Sequence, residues 1–177
     1  IIDRIQRSGV VFRMTAADPT IRWLHLNSAG LDVTIDDVSD KTAALSLQGP
    51  NARAVLELAS GQELTGLKYF RLTAAKIRGA PVTISRTGYT GDLGYEVWVD
   101  ATRALAVWDA LIEVGTSYGI TPAGMLALDL ARNEAGLLLI EVDYVSAHHA
   151  LIDSQTSTPF ELSLGWTVAL DKERFNG

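Results

Sequence analysis

The length, composition and charge of the chain limit what kind of protein it can be. It has 177 residues, 47% of them hydrophobic, which is enough to bury one sizeable core. Its formal net charge of −6 disfavours general binding to a phosphate backbone, so no nucleic-acid partner is expected. The chain has no cysteine, which excludes thiolate metal sites and cysteine nucleophiles, and no apolar run as long as a membrane span. A cytoplasmic protein without a membrane partner is the expectation.

The first part of the chain predicts strands that alternate with helices. Asp18 and Pro19 are typical of a helix start, and Gly30 should end that helix. A second helix is expected to begin at Gly49-Pro50-Asn51. Strand-like alternation covers residues 10–15, 32–38 and 44–47.

The second part predicts antiparallel strands followed by helices. Arg78-Gly79-Ala80 should join two strands, residues 68–77 and 81–86, in a hairpin, and residues 95–99 form a third. Asp100 should cap a helix, residues 125–135 should form another, and residues 163–170 alternate like a strand. The expected apolar face of the capped helix comprises Leu105, Trp108, Leu111 and Ile112. We therefore predict an α+β fold, a largely antiparallel sheet with packed helices.

A glycine-rich stretch containing Gly88, Gly91 and Gly94 precedes the strand at residues 95–99. A phosphate-binding loop would lead into a lysine or a helix, so classical nucleotide binding is disfavoured. A tight or bulged connection that needs positive φ is the simpler interpretation.

Glu96 and Trp98 lie on the face of their strand opposite to Tyr95, Val97 and Val99. If the Glu96 face is covered, the carboxylate must be paired or directed at a ligand. The alternative is an exposed strand face.

Four segments form an ordered set of motifs. They are SDKTAALSLQGP (39–50), RTGYTGDLGYEVWV (86–99), PAGMLALDLARNEAGL (122–137) and LGW…LDK…F-x-G (164–177). Together they resemble the aminomethyltransferase family, the T-protein of the glycine cleavage system and related folate-dependent one-carbon transferases. The resemblance implies that residues 1–177 are part of the family's folate-binding region, without its N-terminal part and its C-terminal barrel domain.

The resemblance implies a tetrahydrofolate pocket in which Glu96 grips the pterin and Arg132 lies nearby. A carboxylate can accept two parallel N–H bonds from an aminopyrimidine edge, and a guanidinium suits a carbonyl edge. For Arg132, a charge on the helix surface paired with Asp129 or Glu134 is the competing interpretation.

Further residues are assigned by the same resemblance. Tyr89 matches a tyrosine of the family's glycine loop, and Tyr69 and Phe70 resemble aromatics near the folate, with core packing as an equally good explanation. Asp3 is the candidate catalytic carboxylate, although Arg4 stands where the family has a second acid. The family's Leu-Tyr-Gly after the arginine helix is here Leu139-Ile140-Glu141.

The function implied by the resemblance is a tetrahydrofolate-dependent aminomethyl transferase that takes its one-carbon unit from a small-molecule donor or a lipoyl carrier protein, the glycine cleavage H-protein. A folate-dependent demethylase of a small methylated substrate and a non-catalytic folate-binding module are the alternatives. No metal site is predicted, because the adjacent His148 and His149 should point apart in an extended segment.

Overall fold

The fold is built on a four-stranded antiparallel sheet. The computed structural model describes residues 18–173. The strands lie in the order β1-β4-β3-β2, so the first and last of the described strands pair with each other. They are β1 (Thr42–Gln48), β2 (Leu72–Ile77), β3 (Ala80–Ser85) and β4 (Gly94–Asp100). The predicted α+β fold with a largely antiparallel sheet is confirmed.

Four α-helices accompany the sheet within residues 18–135. They are α1 (Asp18–Asn27), α2 (Ala52–Ser60), α3 (Ala104–Gly115) and α4 (Met125–Glu134). Short 3₁₀ helices cover Ser39–Lys41, Ala101–Arg103, Thr116–Tyr118, Asp153–Gln155 and Gly165–Thr167. None of the helices described is both long and apolar enough to cross a membrane.

The chain divides into two compact units, Ile1–Ala135 and Gly136–Gly177. The first contains the sheet and the four α-helices. In the second, the described residues form two of the 3₁₀ helices and a bridge between Ile140 and Tyr144.

The core of the first unit lies between the sheet and helices α2 and α3. Tyr95, Val97 and Val99 share one face of β4, as the alternation predicted, and this face is buried in the core. Apolar burial of this kind stabilises the fold by roughly 25 cal/mol per Å². The other large apolar side chains buried among the described residues are Leu47, Val55, Leu56, Leu64, Ile77, Val82, Ile84, Val107 and Leu111.

The hairpin between β2 and β3 forms where the sequence predicted it, but its connection is one residue shorter, because Ala80 already belongs to β3. Ile77 pairs with Ala80, and the two residues between them, Arg78 and Gly79, both have positive φ (46° and 75°). Positive φ at both central positions is the hallmark of a type I′ turn, whose twist matches that of paired strands. The strand before it is shorter than predicted, because residues 68–71 form a turn closed by the Arg71 N–H and the Lys68 carbonyl (3.0 Å).

Two predicted strands are wrong. Residues 32–38 pair with no strand among those described; the Asp37 carboxylate accepts the Ser39 N–H (2.9 Å) where the chain enters a 3₁₀ helix. Residues 163–170 contain another 3₁₀ helix, in which the Thr167 N–H bonds to the Leu164 carbonyl (2.9 Å). Both segments run into short-range turns closed by local bonds, and alternation without a neighbouring strand edge does not make a strand. The predicted strand at 10–15 lies outside the described residues.

The predicted apolar face of α3 is partly wrong. Leu105 is 71% exposed and Trp108 40% exposed, whereas Leu111 is buried together with Val107 and Ala110. The helix sequence ALAVWDALIEVG is apolar on nearly all sides, so its periodicity does not select one face.

Candidate functional site

The glycine-rich stretch forms the loop between β3 and β4, as predicted. The connection needs positive φ, as predicted, but of its three glycines only Gly91 supplies it (76°). At Gly88 or Gly94 a β-carbon would overlap the side-chain amide of Gln48. These two glycines therefore make room for a side chain from the neighbouring strand β1.

Gln48 ties the loop to the sheet. Its amide nitrogen donates to the carbonyls of Tyr95 (3.3 Å) and Thr87 (3.5 Å), and its amide oxygen accepts from the Thr90 hydroxyl (3.2 Å). The Gly49 N–H also bonds to the Leu93 carbonyl (2.8 Å). The end of β1 thus fixes the conformation of the loop.

The loop also contacts the end of helix α4. A β-carbon at Gly91 would meet the side chain of Ala135, the residue after α4. An open pocket of about 490 Å³ lies between loop and helix. Its lining comprises Gln48, Gly49, Thr90, Gly91, Asp92, Ala131, Glu134 and Ala135.

Glu96 lies on the sheet face opposite the core, between its strand partners Ser46 on β1 and Ser85 on β3. Its side chain is partly buried, and its Oε2 accepts a hydrogen bond from the Thr87 hydroxyl at 2.5 Å. The carboxylate is therefore held by a donor from the glycine loop rather than solvated on a bare strand.

Ser85 and Trp98 extend the hydrogen bonding that begins at Glu96 and Thr87. The Ser85 and Thr87 hydroxyls lie 2.7 Å apart, and both residues are buried. The indole Nε1 of Trp98 donates to the Ser85 hydroxyl at 3.4 Å. Trp98, which shares a sheet face with Glu96 as predicted, is thus linked to it through two hydroxyls.

Arg132 is buried near the end of α4, only 3% exposed. Its Nε and Nη2 lie 2.8 Å and 2.7 Å from one carboxylate oxygen of Asp129. The competing interpretation correctly predicted that Arg132 pairs with Asp129. Its prediction that Arg132 lies on the helix surface is wrong. That Arg132 reaches the cleft of Glu96 stays a prediction.

Tyr69 and Phe70 form an exposed aromatic pair, 60% and 57% exposed, with ring centroids 4.2 Å apart. Core packing is therefore the wrong explanation for them. Phe70 has a φ of 56°, rare for a bulky residue, and its N–H bonds to the Arg86 carbonyl (3.1 Å). This contact lies just beyond the pairing of Leu72 with Ser85, at the same end of the sheet as Glu96.

The remaining candidates from the sequence are Tyr89, Asp3 and the adjacent His148 and His149. Tyr89 lies partly buried in the glycine loop, and its orientation toward Glu96 stays a prediction. Asp3 lies outside the described residues. His149 Nδ1 is 3.1 Å from Glu141, and the part of the chain that the structure describes holds no group of three or more His, Asp or Glu side chains placed to bind a metal.

Sequence reasoning missed Gln48, Ser85 and Thr87. Strand alternation could have placed Ser85 on the Glu96 face. The role of Gln48, however, depends on the register between β1 and β4, which pairs it with Gly94.

The model of the GCVT N-terminal domain matches residues 4–172 of the chain. The chain belongs to this family. An aminomethyltransferase of Halothermothrix orenii is 40% identical over 168 residues, 95% of this chain and 44% of that protein. An aminomethyltransferase of Thermotoga neapolitana is 30% identical over 175 residues, 98% of this chain and 46% of that protein. The GCVT chain thus spans less than half the length of the curated relatives it matches.

A solved structure supports the fold. A chain of the heterotetrameric sarcosine oxidase from Corynebacterium sp. U-96, in complex with pyrrole 2-carboxylate, matches with a TM-score of 0.51 and 19% identity. The match covers 61% of this chain and 55% of the other. At this identity the likeness concerns the fold of the GCVT chain alone.

Proposed function

We propose that the protein is a tetrahydrofolate-dependent aminomethyltransferase of the glycine cleavage type. The observation that carries the proposal is the Glu96 carboxylate, partly buried on the sheet face opposite the core and held by the Thr87 hydroxyl. Membership of the GCVT family and the relatives named aminomethyltransferase support the reaction class.

The residues around Glu96 suit the pterin of a folate. Each carboxylate oxygen has two lone pairs, so the hydrogen bond from Thr87 still leaves Glu96 able to accept two parallel N–H groups from an aminopyrimidine edge. Burial strengthens such charge-assisted bonds, because less water competes for them.

The exposed aromatic pair of Tyr69 and Phe70 also suits a planar ligand. Neighbouring strands lie about 4.8 Å apart, so the row formed by Leu72, Ser85 and Glu96 spans about 10 Å. Tyr69 and Phe70 lie three and two residues before Leu72, and both rings are exposed. We assign them, with Tyr89, to contacts with the planar ligand.

Arg132 is proposed to recognise the carbonyl edge of the pterin. The support is its place in the family motif and its burial beside Asp129, which orients the guanidinium. Asp3 is proposed as the catalytic carboxylate on the family motif alone.

In the proposed reaction, the one-carbon donor is an aminomethyl group on the lipoyl arm of a carrier protein, the glycine cleavage H-protein. The methylene carbon passes to tetrahydrofolate, ammonia leaves, and the lipoyl sulfur is released as a thiol. The contribution of this chain is to hold the folate so that its nucleophilic nitrogen lies beside the donor carbon.

The test is folate binding by the intact protein. We expect Glu96→Ala to weaken binding of 5-formyltetrahydrofolate, measured by titration calorimetry, by about 2 kcal/mol, or about 30-fold. Glu96→Gln keeps the shape but replaces an acceptor with a donor, so it should weaken binding too. Glu63→Gln makes the same change at an exposed glutamate and should bind like wild type.

The proposal fails if the intact wild-type protein does not bind the analogue, or if both Glu96 variants bind as well as wild type. Thermal melts of every variant separate loss of binding from loss of folding. Activity assays with an aminomethyl-lipoyl carrier and with small methylated amines then distinguish aminomethyl transfer from demethylation.

A further inference from the structure

The contacts of Glu96 form a hydrogen-bond chain whose direction is fixed at both ends. An ionised carboxylate can only accept, so the single hydroxyl proton of Thr87 is donated to Glu96 (2.5 Å). Ser85 must therefore donate its own proton to Thr87 across 2.7 Å. An indole N–H can only donate, which leaves Ser85 to accept from Trp98 (3.4 Å).

The chain thus runs from Trp98 through Ser85 and Thr87 to Glu96, with every donor pointing toward the carboxylate. Bonds aligned in this way polarise one another and strengthen the last one. Ser85 and Thr87 are buried, so water competes little for their hydroxyls. Ser85, Glu96 and Trp98 lie on the directly paired strands β3 and β4, and the loop residue Thr87 is tied to β1 by the bond from Gln48 to its carbonyl.

We infer that Thr87, and behind it Ser85 and Trp98, are positioning residues that hold the Glu96 carboxylate in the one orientation that accepts two parallel N–H groups from a folate aminopyrimidine. This inference rests on the proposed function. Two-point recognition requires the carboxylate plane to be fixed before the ligand arrives, because a rotating side chain loses conformational entropy on binding.

The hydrogen-bond chain predicts that substitutions weaken folate binding less as they lie farther from Glu96. Thr87 contacts Glu96 directly, so Thr87→Val, of nearly equal shape, should weaken binding of 5-formyltetrahydrofolate about tenfold. Ser85→Ala should weaken it less, about threefold, and Trp98→Phe least, since its bond is the longest. Thr87→Ser keeps the hydroxyl and should restore binding to within about twofold of wild type.

The decisive experiment is a double-mutant cycle on the intact protein, with affinity measured by titration calorimetry and folding by thermal melts. If Thr87 acts through Glu96, Thr87→Val should cause no further loss of affinity when Glu96→Gln is already present. A residue with a merely structural role would weaken both backgrounds equally, and Thr87→Ser would not rescue it.

The outcomes separate this inference from the proposed function. If Glu96→Gln weakens binding but Thr87→Val binds like wild type, or weakens both backgrounds equally, the positioning role is overturned and the proposed function stands. If wild type does not bind the analogue, the proposed function falls and the positioning role falls with it. Loss with Thr87→Val, rescue by Thr87→Ser and no added loss in Glu96→Gln support the positioning role.

Discussion

The side-chain amide of Gln48 occupies the space beside Gly94 that the β-carbon of any other residue would fill. The two residues face each other across the pairing of β1 with β4. From this position the amide bonds to the carbonyls of Tyr95 and Thr87 and to the hydroxyl of Thr90. The absence of a side chain at residue 94 therefore lets β1 hold the loop that carries Thr87.

Gly94→Ala should destabilise the protein by about 1–3 kcal/mol, because the new methyl group displaces the Gln48 amide from its bonds. With Gln48→Ala already present the overlap is gone, and the same substitution should cost much less. Urea unfolding of the two single variants and the double variant measures this coupling. Gly66→Ala, where a β-carbon has open space, is the control. Additive effects of the two substitutions would contradict the assignment.

Phe70→Gly should be more stable than Phe70→Ala by about 0.5–1 kcal/mol. Residue 70 has a φ of 56°, which glycine adopts without the steric cost that a β-carbon imposes. Both variants lose the same exposed ring, so their difference isolates the backbone. Under the proposed function both should also bind 5-formyltetrahydrofolate more weakly than wild type. Equal melting temperatures for the two variants would refute the backbone argument.

Asp129→Asn should destabilise the protein by about 1–2 kcal/mol, since the buried Arg132 guanidinium loses its ion pair with the Asp129 carboxylate. The figure lies below that of a fully buried pair because Asp129 is half exposed. Glu134→Gln removes an exposed acid from the same helix and should change little. Denaturant unfolding compares the two, and equal effects would show that the pair does not stabilise the fold.

The cap before α3 should make stability depend on pH. The Thr102 hydroxyl and then the Thr102 N–H bond to Asp100, which lowers the pKa of its carboxyl below the ordinary 3.8. A group with a lowered folded-state pKa stabilises the protein above its unfolded pKa, and this contribution is lost as the pH falls through the folded value. The stability difference between wild type and Asp100→Ala should therefore be full at pH 7 and shrink below about pH 4.

Thr102→Val tests the cause of that shift. It removes the hydroxyl, the largest contribution, and keeps the backbone N–H. In the Thr102→Val background, the change in unfolding free energy caused by Asp100→Ala should vary less with pH than it does in the wild-type background. Unfolding free energies measured between pH 2.5 and pH 7 check both statements, and a difference independent of pH would contradict them.

The sequence by itself determined the strand faces, the hairpin and the family. Alternation placed Tyr95, Val97 and Val99 on one face of their strand, and Gly79 between two strand-like runs indicated a hairpin. The ordered motifs were enough to predict the family. Each of these depends on neighbouring residues or on residue order, both of which a sequence contains.

The tertiary structure decided what depends on partners distant in the chain. Residues 32–38 alternate like a strand but pair with none of the strands described. Helix α3 is apolar on several sides, and packing against the sheet decides that Val107 and Leu111 are buried. The burial of Arg132 and the place of Gln48 between two glycines likewise follow from packing and register. The strand face on which Glu96 lies could be predicted from the sequence. The hydrogen-bond chain from Trp98 through Ser85 and Thr87 could not, because it exists only where β3, β4 and their loop bring these side chains together.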